Sequence, residues 1–254
     1  MIRYAEAHPR ELSEAFARGA AAVAPFGALE WHGEHLPLGL DGIVAEAFSE
    51  RLAGQIDAVL LPTNWNAMTT LPNVLSLSVR ASAFTDSVDD LVLGLYGAGA
   101  RTVCIVSGHY AQGQEVVLYR SAVRNMRKHG RLRVLAGSPL EPIGDDALLD
   151  HAARIETAQL LALRPDLARL ERLSENPSPK RDAVLGENPA RATAHEGEAL
   201  LETGLVAWSE WIASASRRSL FAHYRRAEKR YEPYVRRYFR GSWERAIRDW
   251  WATK

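Results

Sequence analysis

The stretch Gly27–Asp41 reads GALEWHGEHLPLGLD and crowds two imidazoles and three carboxylates into a short segment punctuated by glycine and proline. Glu30 and His32 stand two apart, so a chain still extended there sends both side chains to one face. Asp41 follows a Leu-Pro-Leu-Gly bend where a helical pattern opens, which lets the chain fold back toward that pair. His109, in Ser107-Gly108-His109, arrives from a different apolar run. Carboxylates and imidazoles together form a mixed oxygen/nitrogen ligand set suited to zinc, manganese or iron. A carboxylate shared between two such ions would give a binuclear centre that binds and activates water. The plainer reading makes Glu30 and His32 loop residues and Asp41 a helix cap, which is what an isolated E-x-H triplet warrants. Glu34 and His35 are expected to be loop or supporting residues, because coordination number limits how many side chains one ion accepts. His195, beside Glu196 and Glu198, falls where a late helix starts, and acidic residues there suit the helix dipole rather than a metal.

The elements that must position these groups alternate. Strand-like runs are expected at residues 20–25, 58–62, 102–107 and 132–136, and helical patterns over 41–56, 87–96, 114–129, 151–163 and 193–216. Thr193 with Glu196 three residues on fits a capping box. Residues 174–192, rich in Pro, Asn, Ser and charge, read as a loop or a lid. Strands alternating with helices of this length imply crossover units, a mainly parallel sheet and helices on both faces. Ligands in such sheets collect at the carboxyl ends of the strands, and both His109 and the opening motif follow strands directly.

At 254 residues, with 47% hydrophobic and 24% charged, the composition is that of an ordinary globular chain. Lys plus Arg number 31 and Asp plus Glu number 31, so no global charge argues for nucleic acid or membrane. Cys104, the single cysteine, lies in the apolar run TVCIV and reads as a small core residue in a reducing compartment. No segment reaches the roughly 20 apolar residues that span a bilayer, and the N-terminus lacks an apolar signal core; the expected location is cytoplasmic. Residues 217–251 interleave arginine with Tyr, Phe and Trp, but Glu228, Glu232, Glu244 and Asp249 dilute the charge. The segment is therefore expected to be an amphipathic helical extension, packed on its own domain or on a neighbouring subunit, rather than a nucleic-acid surface.

Four blocks carry a family resemblance. PFGALEWHGEHLPLGLD resembles the first signature of the creatininase (creatinine amidohydrolase) family, usually P-x-G-S-x-E-Q-H-G-P-H-L-P-L-x-T-D, with Glu30, His32 and Asp41 at the family's spacing. IVSGHYAQGQ is similar to the second, I-V-N-G-H-G-G-N or N-G-H-Y-E-N, which puts His109 on a ligand position. DHAARIETAQL is similar to H-A-G-x-x-E-T-S and supplies His151 and Glu156. LGENPARATAHEGEALLE is similar to the run G-D-P-x-x-A-T-A-E-K-G-x-x-L-L-E that opens the late family helix. The blocks occur in order across residues 20–212.

The resemblance implies a three-layer α/β/α fold over a domain of residues 1–216, with 217–254 as the extension. It implies a binuclear site and hydrolysis of a C–N bond in a small non-peptide or cyclic amide, by attack of a metal-bound water on the carbonyl. A homo-oligomer is implied too, a hexamer among the ring forms. Position by position, Glu30 and His109 would bind one divalent ion and His32 the other, with Asp41 bridging. Glu156 would be a ligand or a supporting base, and His151 would act in acid/base chemistry or substrate contact. The ions would be zinc, manganese or iron. Tyr110, Ser107 and Gln112 are the substrate-side candidates. Creatininase proper has Glu two residues after the second-signature His, where this chain has Ala111, so creatinine is not the expected substrate. Ser107 and Gln112 stand for asparagines, Ala153 for a glycine and Leu40 for a threonine. Trimming of a short or modified peptide in a biosynthetic pathway, and a non-catalytic, metal-poor member, are the alternatives.

Overall fold

The segments AVAPF and TVCIVS carry no charge and are buried at every position. Strands without a solvent face must be covered on both sides, which is the situation of a parallel sheet between helices. The computed structural model describes residues 1–145 and 148–254. Its strands β1 (Ile2–Arg3), β2 (Ala22–Phe26), β3 (Val59–Leu60), β4 (Thr102–Ser107) and β5 (Arg133–Gly137) form one sheet in the order β1-β3-β2-β4-β5. Every pairing is parallel. From β2 the chain moves outward to β3 and then returns to β4 on the other side, so the β2/β4 boundary is the topological switch point. Ligand crevices open beyond the carboxyl ends of the strands at such a point. Ala22 pairs with Val103 and Phe26 with Ser107, so β2 and β4 end side by side and their following loops start as neighbours.

The helices are α1 (Pro9–Ala17), α2 (Leu40–Gln55), α3 (Ala81–Gly97), α4 (Gln112–Lys128), α5 (Arg154–Leu163), α6 (Pro179–Asp182), α7 (Ala194–Ser214), α8 (Arg217–Tyr238) and α9 (Trp243–Trp251). α2, α5 and α7 pack together against the sheet, while α3, α4 and α8 form a second group. The core includes Phe26, Phe48, Phe84, Ile105, Leu118 and Trp208, all nearly or wholly buried. Each full burial of such a side chain is worth roughly 1.5–3 kcal/mol. Cys104 is buried in β4, and burial pushes its thiol up to about 12, as befits a core residue. Among the described residues no helix is long and apolar enough to cross a membrane.

Several element boundaries differ from the sequence expectation. The helix expected from Ser87 begins at Ala81, because Glu244 of α9 accepts the Ala81 N–H at 2.9 Å, a cap from 163 residues away. The helix expected from His151 begins at Arg154, for reasons given below. Residues 174–192 contain α6 and a 3-10 turn at Pro189–Arg191. Thr193 does cap α7, accepting the Glu196 N–H at 3.2 Å, but the box is not closed. Glu196 turns instead to Arg154, 2.6 Å away. β1 and α1 were not anticipated; α1 is set by Pro9 in its first turn and a box between His8 and Glu11.

The C-terminal helices are tied to this same chain. The Tyr224 hydroxyl donates to Val134 O and accepts from Ala136 N, each at 2.8 Å, satisfying backbone groups of the edge strand β5. Glu228 pairs with Arg120 of α4 at 2.9 Å. The Tyr231 O–H donates to Glu115 Oε2 in the first turn of α4. Glu115 is wholly buried, and burial, helped by the Glu141 charge, pushes its carboxyl up to about 8 from 4.5. A carboxyl raised on folding holds an extra proton in the native state between those two values. Its contribution to stability is therefore full below pH 4.5 and is lost as pH rises through 8. The slope is at most about 1.4 kcal/mol per pH unit. Glu115→Gln should flatten the stability profile between pH 5 and 8 in denaturant melts; an unchanged slope would show that Glu115 does not titrate as described.

Candidate metal centre

Glu30 leaves β2 through a stretch pinned on both sides. Leu29 bridges Leu77, and the Glu30 N–H donates to Leu38 O at 2.8 Å. The chain passes His32 without regular secondary structure and turns at Gly33, whose φ of 73° suits glycine. It re-enters as α2, with Asp41 in the first turn. β4 must pass that turn closely: a Cβ on Gly108 would lie 2.0 Å from Asp41 O. Glycine at 108 is thus what allows His109 and Asp41 to share one site. His151 is not helical but forms an antiparallel bridge with Leu185. Ala152 takes a φ of 49°, and the Asp150 carboxylate accepts from Ile155 N at 2.7 Å and Glu156 N at 3.1 Å, starting α5 late. The offset turns His151 and Glu156 toward the opening motif.

The side chains converge. His109 Nδ1 lies 2.8 Å from Glu30 Oε2 and 3.1 Å from Asp41 Oδ2. His32 Nε2 lies 3.0 Å from Asp41 Oδ1 and 3.5 Å from Glu156 Oε2. Glu30, His32, Asp41, His109 and Glu156 are all at most 3% exposed. The donors fall into two triads, Glu30–Asp41–His109 and His32–Asp41–Glu156, each with its atoms within 4.8 Å, and Asp41 belongs to both. A third grouping, Glu30–His32–His151, overlaps them. The His32 and His151 rings lie 4.3 Å apart.

Protonation can be read from the backbone. His109 Nε2 faces Met68 O at 3.1 Å, His32 Nδ1 faces Glu30 O at 2.9 Å, and His151 Nε2 faces Trp31 O at 3.1 Å. A carbonyl only accepts, so each of those nitrogens carries the proton. A neutral ring then presents a lone pair on its other nitrogen, which for His32 and His109 is the one facing carboxylates. Lone pairs facing carboxylates repel unless a cation lies between them. Despite the short distances, Glu30 Oε2 and His32 Nε2 are buried without a hydrogen-bond partner among the described residues. Up to three buried carboxylate charges would each cost several kcal/mol uncompensated. The donor set, the orphaned atoms and the charge all fit a pair of divalent ions.

Without such ions, protons stand in. Burial would lower His32, but the Asp41 charge outweighs it and pushes the imidazole up to about 10. His109 is raised well above the ordinary range against its own burial, by Glu30 and Asp41. Asp41 is held low in spite of burial by His32 and His109, and Glu30 is lowered by His109 and His151. Glu156 is raised well above its usual range, chiefly by burial. His151 is pushed down to about 4 by burial and the neighbouring His32 charge, so it stays neutral.

The site opens into a cavity of about 280 Å³ lined by Glu30, His109, His151 and Glu156. Of the three substrate-side candidates, Tyr110 and Gln112 line it, and the Tyr110 O–H donates to Gln159 Oε1 at 3.1 Å. Ser107 does not: it is fully buried at the end of β4 and donates to His109 O at 2.9 Å, shaping the turn that carries His109. His35 is buried and its Nε2 donates to Ala152 O at 2.9 Å, bracing the turn before α5. Glu34 and His195 are exposed. Sequence reasoning missed Asp150, which caps α5 and whose carboxyl burial pushes up to about 6. It also missed the Leu71 N–H, which donates to Glu30 Oε1 at 2.5 Å, and the α8–α9 side chains over the cavity. Asp150, adjacent to His151 in the third block, was the one with a local signal.

A parallel α/β/α sheet that gathers buried acids and imidazoles at its switch point defines an α/β protein with a candidate metal centre beyond its strand ends. Comparison with known proteins narrows the class. The family model described as creatininase (creatinine amidohydrolase) matches residues 5–212. A creatinine amidohydrolase of Pseudomonas putida is 28% identical over 198 residues, covering 67% of this chain and 75% of that protein. A mycofactocin precursor peptide peptidase of Mycobacterium ulcerans is 30% identical over 200 residues, covering 68% and 76%. The crystal structure of a creatinine amidohydrolase superposes with a TM-score of 0.73 at 23% identity, covering 83% of this chain and 96% of that one. The chain belongs to the creatininase (creatinine amidohydrolase) family and is a hydrolase of that kind.

Proposed function

We propose that this chain is a metal-dependent amidohydrolase that cleaves the C–N bond of a small non-peptide or cyclic amide. The observation that carries the reading is the pair of buried donor triads sharing Asp41. Glu30 and His109 would hold one divalent ion, His32 and Glu156 the other, and Asp41 both. Solved creatininases of this fold include a manganese form and a Zn-Zn type, which favours zinc or manganese; iron suits the donors equally. When bound, such ions lower the pKa of a water and polarise the carbonyl to be attacked. The chain's own residues supply the rest. The Met68, Glu30 and Trp31 carbonyls fix the three imidazole tautomers. His151, which lines the cavity and whose Nε2–H is held on Trp31 O, uses its other ring nitrogen to take the proton from the attacking water and hand it to the leaving nitrogen. Tyr110 and Gln112 contact the substrate at the rim.

A homo-oligomer is part of this reading, a hexamer included; Val74, Leu75 and Leu77 project from one loop at 96%, 57% and 61% exposure. A cytoplasmic location and a partner list without nucleic acid or membrane belong to it as well. Within α8 and α9, Arg236 is paired with Glu232 at 2.7 Å and Arg245 with Asp249 at 3.6 Å.

A second reading, trimming of a short or modified peptide, is favoured by the similarity to the peptide peptidase. A cavity of about 280 Å³ sits at the lower edge of small-molecule pockets and takes one side chain rather than a peptide length. The test is a metal-replete preparation assayed on formamides, lactams, acyl amides and short peptides, with products read by mass spectrometry. His151→Ala should lose roughly 100- to 10,000-fold in kcat on the preferred substrate. New peptide termini would select the second reading, and equal rates for parent and variant would remove His151 from the chemistry.

A further inference from the structure

Part of the wall of the cavity over the candidate centre lies beyond the residues that the family model matches. Tyr231 and Tyr234 of α8 and Ile247 and Trp250 of α9 line it, and all lie beyond residue 212, where the family match ends. These helices are fixed rather than loosely apposed. Trp251 meets Trp31, the residue between Glu30 and His32, edge-on at 6.5 Å, and Glu244 caps α3. The Tyr231 hydroxyl is committed to Glu115, which leaves its ring as the surface toward the cavity. Tyr234 and Trp250 stand edge to face at 6.5 Å, and Leu149 and Leu185 complete the apolar wall. The one cation among the extension's lining residues, Arg230, is held by Glu141 at 3.2 Å.

The cavity therefore has two chemically distinct ends, with buried acids and imidazoles at the floor and aromatic and aliphatic surface at the roof. A ligand matching both is an amide whose polar group meets the floor while a hydrocarbon group meets the roof. We propose that α8 and α9 build a binding subsite for an aromatic substituent of the substrate, so that this enzyme prefers amides carrying a ring beside the scissile bond. The proposal rests on the amidohydrolase reading above and narrows its substrate class. Ring–ring contacts favour edge-to-face and offset geometries, which the crossed Tyr234 and Trp250 planes offer to a third ring.

The test is isothermal titration calorimetry of the full chain with phenylacetamide and with acetamide, on the parent, Trp250→Ala, Trp250→Phe and Tyr234→Ala. Burying a phenyl group should make phenylacetamide bind roughly tenfold or more tightly than acetamide. Trp250→Ala or Tyr234→Ala should remove at least about fivefold of that preference, Trp250→Phe should keep most of it, and acetamide should bind all four proteins alike. The proposal is overturned if phenylacetamide binds no better than acetamide, undetectable binding of both included, or if the alanine variants weaken both ligands equally. Trp250 is half-exposed, and if its alanine variant fails to fold, Tyr234→Ala decides. Calorimetry needs no turnover, so the two readings fail separately. A retained preference without hydrolysis sinks only the hydrolase reading, whereas hydrolysis without a preference sinks only the subsite.

Discussion

Asp41→Asn is expected to lower kcat/KM by roughly a thousandfold or more and to reduce bound metal from two ions to one or none. Asp41 is the one side chain common to both donor triads, with Oδ1 toward His32 and Oδ2 toward His109. Asparagine keeps the shape, but it presents one carbonyl oxygen and an NH2 that can only donate. One of the two imidazole lone pairs would then face a donor instead of a shared anion. An ion's contribution to transition-state charge is several kcal/mol, and each ~1.4 kcal/mol is a factor of ten. The fold should survive, because Asp41 is packed through its backbone against Gly108 rather than through a hydrocarbon side chain. Steady-state assays beside metal analysis and a thermal melt separate these outcomes. A variant within tenfold of the parent would show that the carboxylate is not shared.

The second large effect is on stability. Chelation should lower Tm by about 8–16 °C for each site emptied from near saturation. Binding at a thousandfold excess over Kd contributes about 4 kcal/mol. In a chain of this size each kcal/mol moves Tm by about 2–4 °C. The sign with pH follows from what replaces the ions. In the cation-free chain His32 is pushed up to about 10 and His109 is raised as well, so both are protonated at neutral pH. Metal binding must displace those protons, and affinity therefore rises with pH. The Tm difference between loaded and chelated protein should be larger at pH 8 than at pH 6. Identical melts at both values would mean that the imidazoles and acids hold each other without any ion.

Much of this site was readable from local pattern. Glu30 and His32 reach one site from the irregular segment just past β2, and His109 joins them because β2 and β4 end in register. The third block's His151 and Glu156 also arrive, though not on one helix: Asp150 delays α5, and His151 sits in a bridge instead. Nothing in a helical periodicity announces a carboxylate four residues ahead that will cap the helix and cut it short. Ser107 stands apart from the cavity for a related reason. Its place beside His109 suggested the substrate side, but in the buried strand its hydroxyl is taken up by His109 O, to which it donates, and by the Gln114 amide, from which it accepts at 3.2 Å. Longest-range features were the least legible. The cap on α3 from Glu244, the Tyr224 hydroxyl on the β5 edge and the aromatic roof from α8 and α9 join residues from about 90 to about 220 positions apart. The arginine–aromatic pattern announced an amphipathic extension but not which surface it would cover.

The account depends most on two divalent ions sharing Asp41, and the direct measurement is metal content. The full chain, loaded with zinc or manganese and passed through a desalting column, should carry two ions per polypeptide by mass spectrometry of the metal against amino-acid analysis. Asp41→Asn, treated identically, should carry at most one. A parent chain that retains no metal and still hydrolyses amides, or a variant that retains two, would contradict it.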